Sequence, residues 1–144
     1  MRIPRTAACL AVPLALGLGP AAAAQAPAPA SAPRAAATVT LTNSDNGRVV
    51  HVRTDDTVTV RLSGSRARGV TWVWSTPTAA DPALLGVITA NRSPGGDATA
   101  EFRARRAGTT DVNAYRACRP DPGRVCAQVV FPWKATIVVE NGRR

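Results

Sequence analysis

The sequence is poor in the residues that most often carry chemistry. Its 144 residues include one histidine (His51), one lysine (Lys134), one tyrosine (Tyr115) and three cysteines. A Ser-His-Asp arrangement has only His51 to draw on. His51 lies between Val50 and Val52 in a strand-like segment, so it is expected on a sheet face rather than in a catalytic centre. No two His, Cys or carboxylate residues stand at a recognised ligand spacing, so no metal site is expected. Asp55-Asp56 is the only adjacent acid pair, and such neighbours at a strand end diverge into a solvated turn. Asp97 and Asp121 are single loop acids. Neither glycine-rich loop has a phosphate-binding pattern. Sustained helical spacing is missing, as is an apolar run long enough to span a membrane. Aromatic residues make up only 4% of the chain. These absences point to binding rather than catalysis: no enzyme activity and no cofactor are expected.

What is present begins at the N-terminus. Arg2 and Arg5 precede an apolar stretch over 7–18, and Ala22-Ala23-Ala24 supplies a small-residue cleavage pattern. This is the tripartite secretory signal, over 1–24, with Gln25 as the first mature residue. A short membrane anchor would need a longer apolar run. A lipoprotein would need Cys9 at the end of that run, not near its start. Cleavage removes Cys9 and leaves Cys118 and Cys126, an even number in an oxidising compartment. A Cys118–Cys126 disulfide is therefore expected rather than two free thiols, and a metal pair would lack a second set of ligands. The protein is expected to be secreted or extracytoplasmic, and monomeric. Losing Arg2 and Arg5 lowers the formal charge from +9 to +7. A basic surplus favours an acidic partner or polymer. The arginines are spread along the chain with few aromatics among them, so a nucleic-acid groove is not expected.

Residues 25–36 are rich in Pro and Ala and read as a flexible linker. From 37 to 141 the texture changes to short alternating segments. Strands are expected over 37–42, 48–53, 57–62, 70–75, 84–90, 97–105, 110–117 and 127–140. Val58, Val60 and Leu62 share one face of theirs, and Ala98, Ala100, Phe102 and Ala104 point inward from another. Asn46-Gly47 signals a tight turn. Residues 63–69 and 91–96 read as loops. Pro132 cannot donate a ladder hydrogen bond and marks a bulge or an edge. Seven or eight short strands predict an all-β antiparallel sandwich, with an open barrel as the structural alternative. Trp72 and Phe102 are expected in its core, and Trp74 shares the Trp72 face.

Three loops carry a resemblance. Ser65-Arg66-Ala67-Arg68-Gly69 precedes the Val70-Thr71-Trp72 strand. Ser93-Pro94-Gly95-Gly96 precedes the Phe102 strand. Arg119-Pro120 follows the Tyr115 strand. This order resembles the chagasin-like inhibitors of papain-family cysteine peptidases, which are immunoglobulin-like sandwiches. That family carries Asn-Pro-Thr-Thr-Gly before a Trp-bearing strand, a Gly-Gly loop, and an Arg-Pro-aromatic loop. Gly69 with Trp72 fits the Gly-x-x-Trp pattern, and Arg119-Pro120 fits the start of the third loop. Arg66-Ala67-Arg68 stands where the family has Pro-Thr-Thr, and Asp121 where it has an aromatic; Trp133 is a candidate for a displaced one. The resemblance implies inhibitory loops at Arg66, Ala67, Arg68, Gly69, Gly95, Gly96, Arg119 and Pro120. They would enter a peptidase cleft as a wedge without presenting a cleavable bond. The Cys118–Cys126 disulfide would hold the third loop in place before binding. Two other readings remain open: an immunoglobulin-like extracellular or envelope-associated binding module, and a polyanion binder.

Overall fold

The computed structural model describes residues 17, 19, 21–29, 32 and 34–142. Most of the expected signal segment, with Cys9, lies outside the described residues. The chain divides into two units, Met1–Ala32 and Pro33–Arg144. The described residues of the first have no regular secondary structure. The second begins with β1 (Thr38–Leu41), β2 (Val49–Arg53), β3 (Thr57–Leu62), β4 (Ser65–Ala67) and β5 (Val70–Trp74). It continues with β6 (Thr78–Ala79), β7 (Leu85–Arg92), β8 (Ala98–Ala104), β9 (Gly108–Pro120) and β10 (Val130–Glu140).

The strands form an immunoglobulin-like β-sandwich. One sheet has the order β1-β3-β8-β7. The other has the order β2-β10-β9-β5-β4, with β6 beside β9. Period-two alternation builds the core. Val58, Val60 and Leu62 of β3 and Ala98, Ala100, Phe102 and Ala104 of β8 are buried, facing inward as expected. The opposite layer contributes Val112, Ala114, Trp133, Ala135 and Ile137. Trp133 is therefore a core residue, and its indole N–H donates to the Thr42 carbonyl at 3.2 Å.

The sheets are not wholly antiparallel. β1 runs parallel to β3, and β2 parallel to β10. The reason is the crossover at Asn46-Gly47. Gly47 has φ +80°, and the Arg48 amide donates to the Asp45 carbonyl at 3.0 Å, closing a tight turn. The turn joins a strand of one sheet to a strand of the other, so the strands it links do not pair. Pro132 sits in an unbroken register opposite Tyr115, while β2 covers β10 only from Thr136 onward. It occupies an edge position, where its missing donor is not needed.

Further expectations need correction. Residues 63–69 are not all loop: β4 pairs with β5 from Ser65–Trp72 to Ala67–Val70. Arg68 and Gly69, at φ +54° and +77°, form the two-residue turn between them. Positive φ at both central positions is the primed geometry that suits a twisted hairpin. Trp72 is only half-buried, and Trp74 takes the core place at 5% exposure. The Trp74 indole N–H bonds the Ser63 carbonyl, one residue past the end of β3. Trp72 stands two residues further out, about 7 Å, beyond the cover of the smaller sheet. Asp56, expected in a solvated turn, is 2% exposed. It accepts the amides of Ala37 (2.8 Å) and Arg53 (2.9 Å), and Arg34 reaches it at 3.3 Å. Burial pushes its carboxyl up, but the two amides and the guanidinium outweigh that and leave it below the ordinary 3.8.

Candidate functional site

The fold brings the three sequence loops to one end of the sandwich. Arg66 and Ala67 lie on β4, and Arg68-Gly69 forms the tip of the β4–β5 hairpin. Arg119 and Pro120 are the last residues of β9, opposite Thr71 and Val70 of that hairpin. The 93–97 turn continues the edge of the same sheet beyond β4: the Trp74 amide donates to the Gly96 carbonyl at 2.9 Å. Gly96 is buried at φ +98°, and a Cβ there would stand 2.7 Å from the Trp72 carbonyl oxygen. Its glycine character is required inside the protein. Gly95 is exposed, with only the Ser93 hydroxyl oxygen near its would-be Cβ, at 3.8 Å.

Cross-braces join the loops. Arg119 donates through Nη2 to the Pro94 carbonyl at 2.8 Å, tying the third loop to the second. Arg66 donates both terminal nitrogens to the Asp121 carboxylate, Nη1 to Oδ1 at 3.0 Å. It also reaches the Thr71 hydroxyl at 3.1 Å. The Asp121 amide donates to the Gly69 carbonyl at 2.9 Å. First and third loops are thus tied by backbone and by a two-pronged ion pair, the geometry in which guanidinium and carboxylate match best. The hydrogen bonds that Arg66 donates to Asp121, then the charge of that carboxylate, raise the Arg66 pKa above its ordinary value. Arg66 and Asp121 are two of the positions where the sequence departs from the pattern it resembles. The departures are partners.

The Cys118–Cys126 disulfide is formed, with Cα atoms 5.8 Å apart, and closes the segment after β9. Val125 within it is 91% exposed, and Val129 just after it is 46% exposed. They line a cleft of about 380 Å³ together with Cys118 and Cys126.

Sequence reasoning missed the neighbouring aromatic group. The guanidinium carbon of Arg116 lies 5.3 Å from the Trp72 ring centre, 5.7 Å from Trp74 and 5.1 Å from Phe131. Trp72 and Phe131 meet at 5.6 Å with their planes tilted by 60°. The signal was present: Val112, Ala114 and Arg116 alternate on one face of β9, so a charged residue ends an inward series. Strand register then sets Arg116 opposite both Trp74 and Phe131. Of the two aromatics on β10, Phe131 is exposed and Trp133 buried.

His51 is far along β2, exposed and 3.2 Å from Glu140. Among the described residues no group of three or more His, Cys, Asp or Glu is arranged to hold a metal. No described helix is long and apolar enough to cross a membrane. A larger cleft of about 710 Å³ at the opposite end is lined by Arg34, Arg53, Arg105 and Arg106. Two of its arginines are already engaged, Arg34 by Asp56 and Arg106 by Asp81.

No protein-family model matches the chain, and no curated protein sequence matches it. Among solved structures the chain is similar to the cysteine protease inhibitor EhICP2 from Entamoeba histolytica. That match has a TM-score of 0.49 and 13% identity, over 72% of this chain and 96% of that one. It is similar to amebosin with a TM-score of 0.43 and 12% identity, over 74% and 100% of the two chains. It is also similar to PbICP-C, solved in complex with falcipain-2, with a TM-score of 0.43 and 11% identity, over 74% and 93%.

Proposed function

We propose that this chain is a secreted inhibitor of papain-type cysteine peptidases that blocks the active-site cleft with the three loops at one end of its sandwich. One observation carries this reading. Three loops from distant parts of the sequence converge at one end and are braced to one another through Arg66–Asp121 and Arg119–Pro94. A surface held rigid before binding loses little conformational entropy on docking. A wedge of closed turns presents no extended segment to a nucleophile, so it is not cleaved as a substrate.

The loop residues divide by role. Arg68 at the hairpin tip and the exposed backbone at Gly95 face the target. Arg66 is already occupied by Asp121 and Thr71. It braces the wedge instead of grasping the enzyme. The Cys118–Cys126 bridge anchors the third loop, which fits a protein working in an oxidising compartment.

The test is direct. Mature protein with its disulfide intact is assayed against a panel of papain-type peptidases, and competitive, reversible inhibition of at least one is expected. Arg66→Glu weakens that inhibition, and the Arg66→Glu/Asp121→Arg exchange restores much of it. Inhibition of none of the panel sinks the reading and leaves the immunoglobulin-like binding module in its place.

A further inference from the structure

The Arg116 environment is unusual for an arginine. Its guanidinium sits among three aromatic rings, Trp72, Trp74 and Phe131, and its Nε is buried without a hydrogen-bond partner. Among the described residues no ion pair is found for it, although Arg66 two strands away has a dedicated carboxylate. Arginine stays charged at any ordinary pH. Stacking on rings compensates the faces of a guanidinium but leaves its N–H edge, the part that pairs two-pronged with carboxylates, without a partner.

The placement gives this significance. Arg116 lies on the inward face of the larger sheet where that sheet outruns its partner, at the three-loop end. Phe131 beside it is 43% exposed. Cys118 faces the same way two residues on, is paired with Trp72, and lines the cleft with Val125 and Val129. The result is a cation framed by exposed apolar surface. Around it Arg68, Arg119 and Arg124 likewise have no carboxylate partner among the described residues.

We infer that Arg116, held by Trp72 and Phe131, is a specificity-determining anchor that takes a carboxylate from the partner protein, an Asp or Glu set in apolar surface on the rim of the peptidase cleft. The inference rests on the inhibitor reading for the partner's identity and adds what the loops alone do not: a selection among peptidases by rim chemistry. Charge complementarity argues for it, since an uncompensated basic end attracts and orients an acidic rim. On docking, the apolar frame dries the ion pair and strengthens it.

The experiment uses a peptidase that the mature protein inhibits. Inhibition constants and rates are measured for wild type, Arg116→Met, Arg116→Lys and Phe131→Ala, with thermal unfolding recorded for each. In parallel, each rim Asp or Glu of the peptidase is changed to its amide and tested against wild type. Arg116→Met is expected to weaken inhibition at least about thirtyfold, mainly through faster dissociation. Arg116→Lys recovers only part of this, because an ammonium lacks the fork. One rim amide variant reproduces the loss and adds nothing further when combined with Arg116→Met. If folded Arg116→Met inhibits within about twofold of wild type, or no rim amide variant loses affinity, this inference falls and the inhibitor reading stands. If wild type inhibits no peptidase of the panel, both fall.

Discussion

Asp56→Asn isolates the contribution of one buried carboxylate to the sandwich. Asp56 accepts the Ala37 amide through Oδ1 and the Arg53 amide through Oδ2. Asparagine has the same shape but only one acceptor oxygen. Whichever way it turns, one backbone N–H faces an NH₂ group and is left unsatisfied, at a cost of about 1–3 kcal/mol. The remaining bond also loses its charge, so the total comes to about 3 kcal/mol. For a domain the size of Pro33–Arg144, typical unfolding entropies convert this to a fall in Tm of about 13 °C. Arg34→Ala removes only a half-exposed partner of the same carboxylate and costs less than about 1 kcal/mol. Acidity supplies the control. The native carboxyl lies below its ordinary 3.8, so its stabilisation is complete above the unfolded pKa and is lost as pH falls through the lowered native value. The gap between wild type and Asp56→Asn should therefore be constant near neutrality and close in strong acid, as followed by calorimetry or near-ultraviolet circular dichroism from pH 7 to pH 2. A gap below about 3 °C at pH 7, or one that persists undiminished at pH 2, would refute the reasoning.

Two further perturbations separate stability from recognition. Gly96→Ala drives a Cβ against the Trp72 carbonyl at a positive φ and should cost about 2–3 kcal/mol in chemical denaturation; Gly95→Ala has room and should leave the unfolding midpoint unchanged, so any effect on inhibition reads contact alone. Changing Cys118 and Cys126 to serine reopens the loop they close and should lower stability by about 2.6 kcal/mol in the chain-entropy account, measured against wild type in urea without reductant.

Much of the sandwich was legible because its strands alternate cleanly. Val58, Val60 and Leu62 fix the inner face of β3, and the boundaries Thr57–Leu62 emerge as read. Ala98, Ala100, Phe102 and Ala104 do the same for β8. What alternation cannot supply is the height of the opposing layer. Trp72 and Trp74 carry the same local signal, yet one is covered and the other projects past the end of β3. The β4–β5 hairpin stayed hidden because Arg68 takes a left-handed conformation without being Gly, Asn or Asp. Asp56 read as a solvated turn because the amides it accepts include one that lies 19 residues away. The candidate end was legible as three loops in order, but not as a braced unit. Arg66 and Asp121 are separated by 55 residues, and only strand pairing brings them together.

The parallel pairing of β2 with β10 has a kinetic side. β10 lies inside its sheet, with β2 on one flank and β9 on the other. Its Trp133 reaches the Thr42 carbonyl across 91 residues of chain. A growing polypeptide that has not yet released β10 therefore has no seat for β2, and β9 is open on its β10 flank from Gly108 to Ala117. Local hairpins such as β7–β8 can form early, but the larger sheet closes only after its most distant segments have met. Such non-local closure makes folding slow compared with its stability. Until β10 arrives, the emerging chain presents open strand edges, which a cell must shield from self-association.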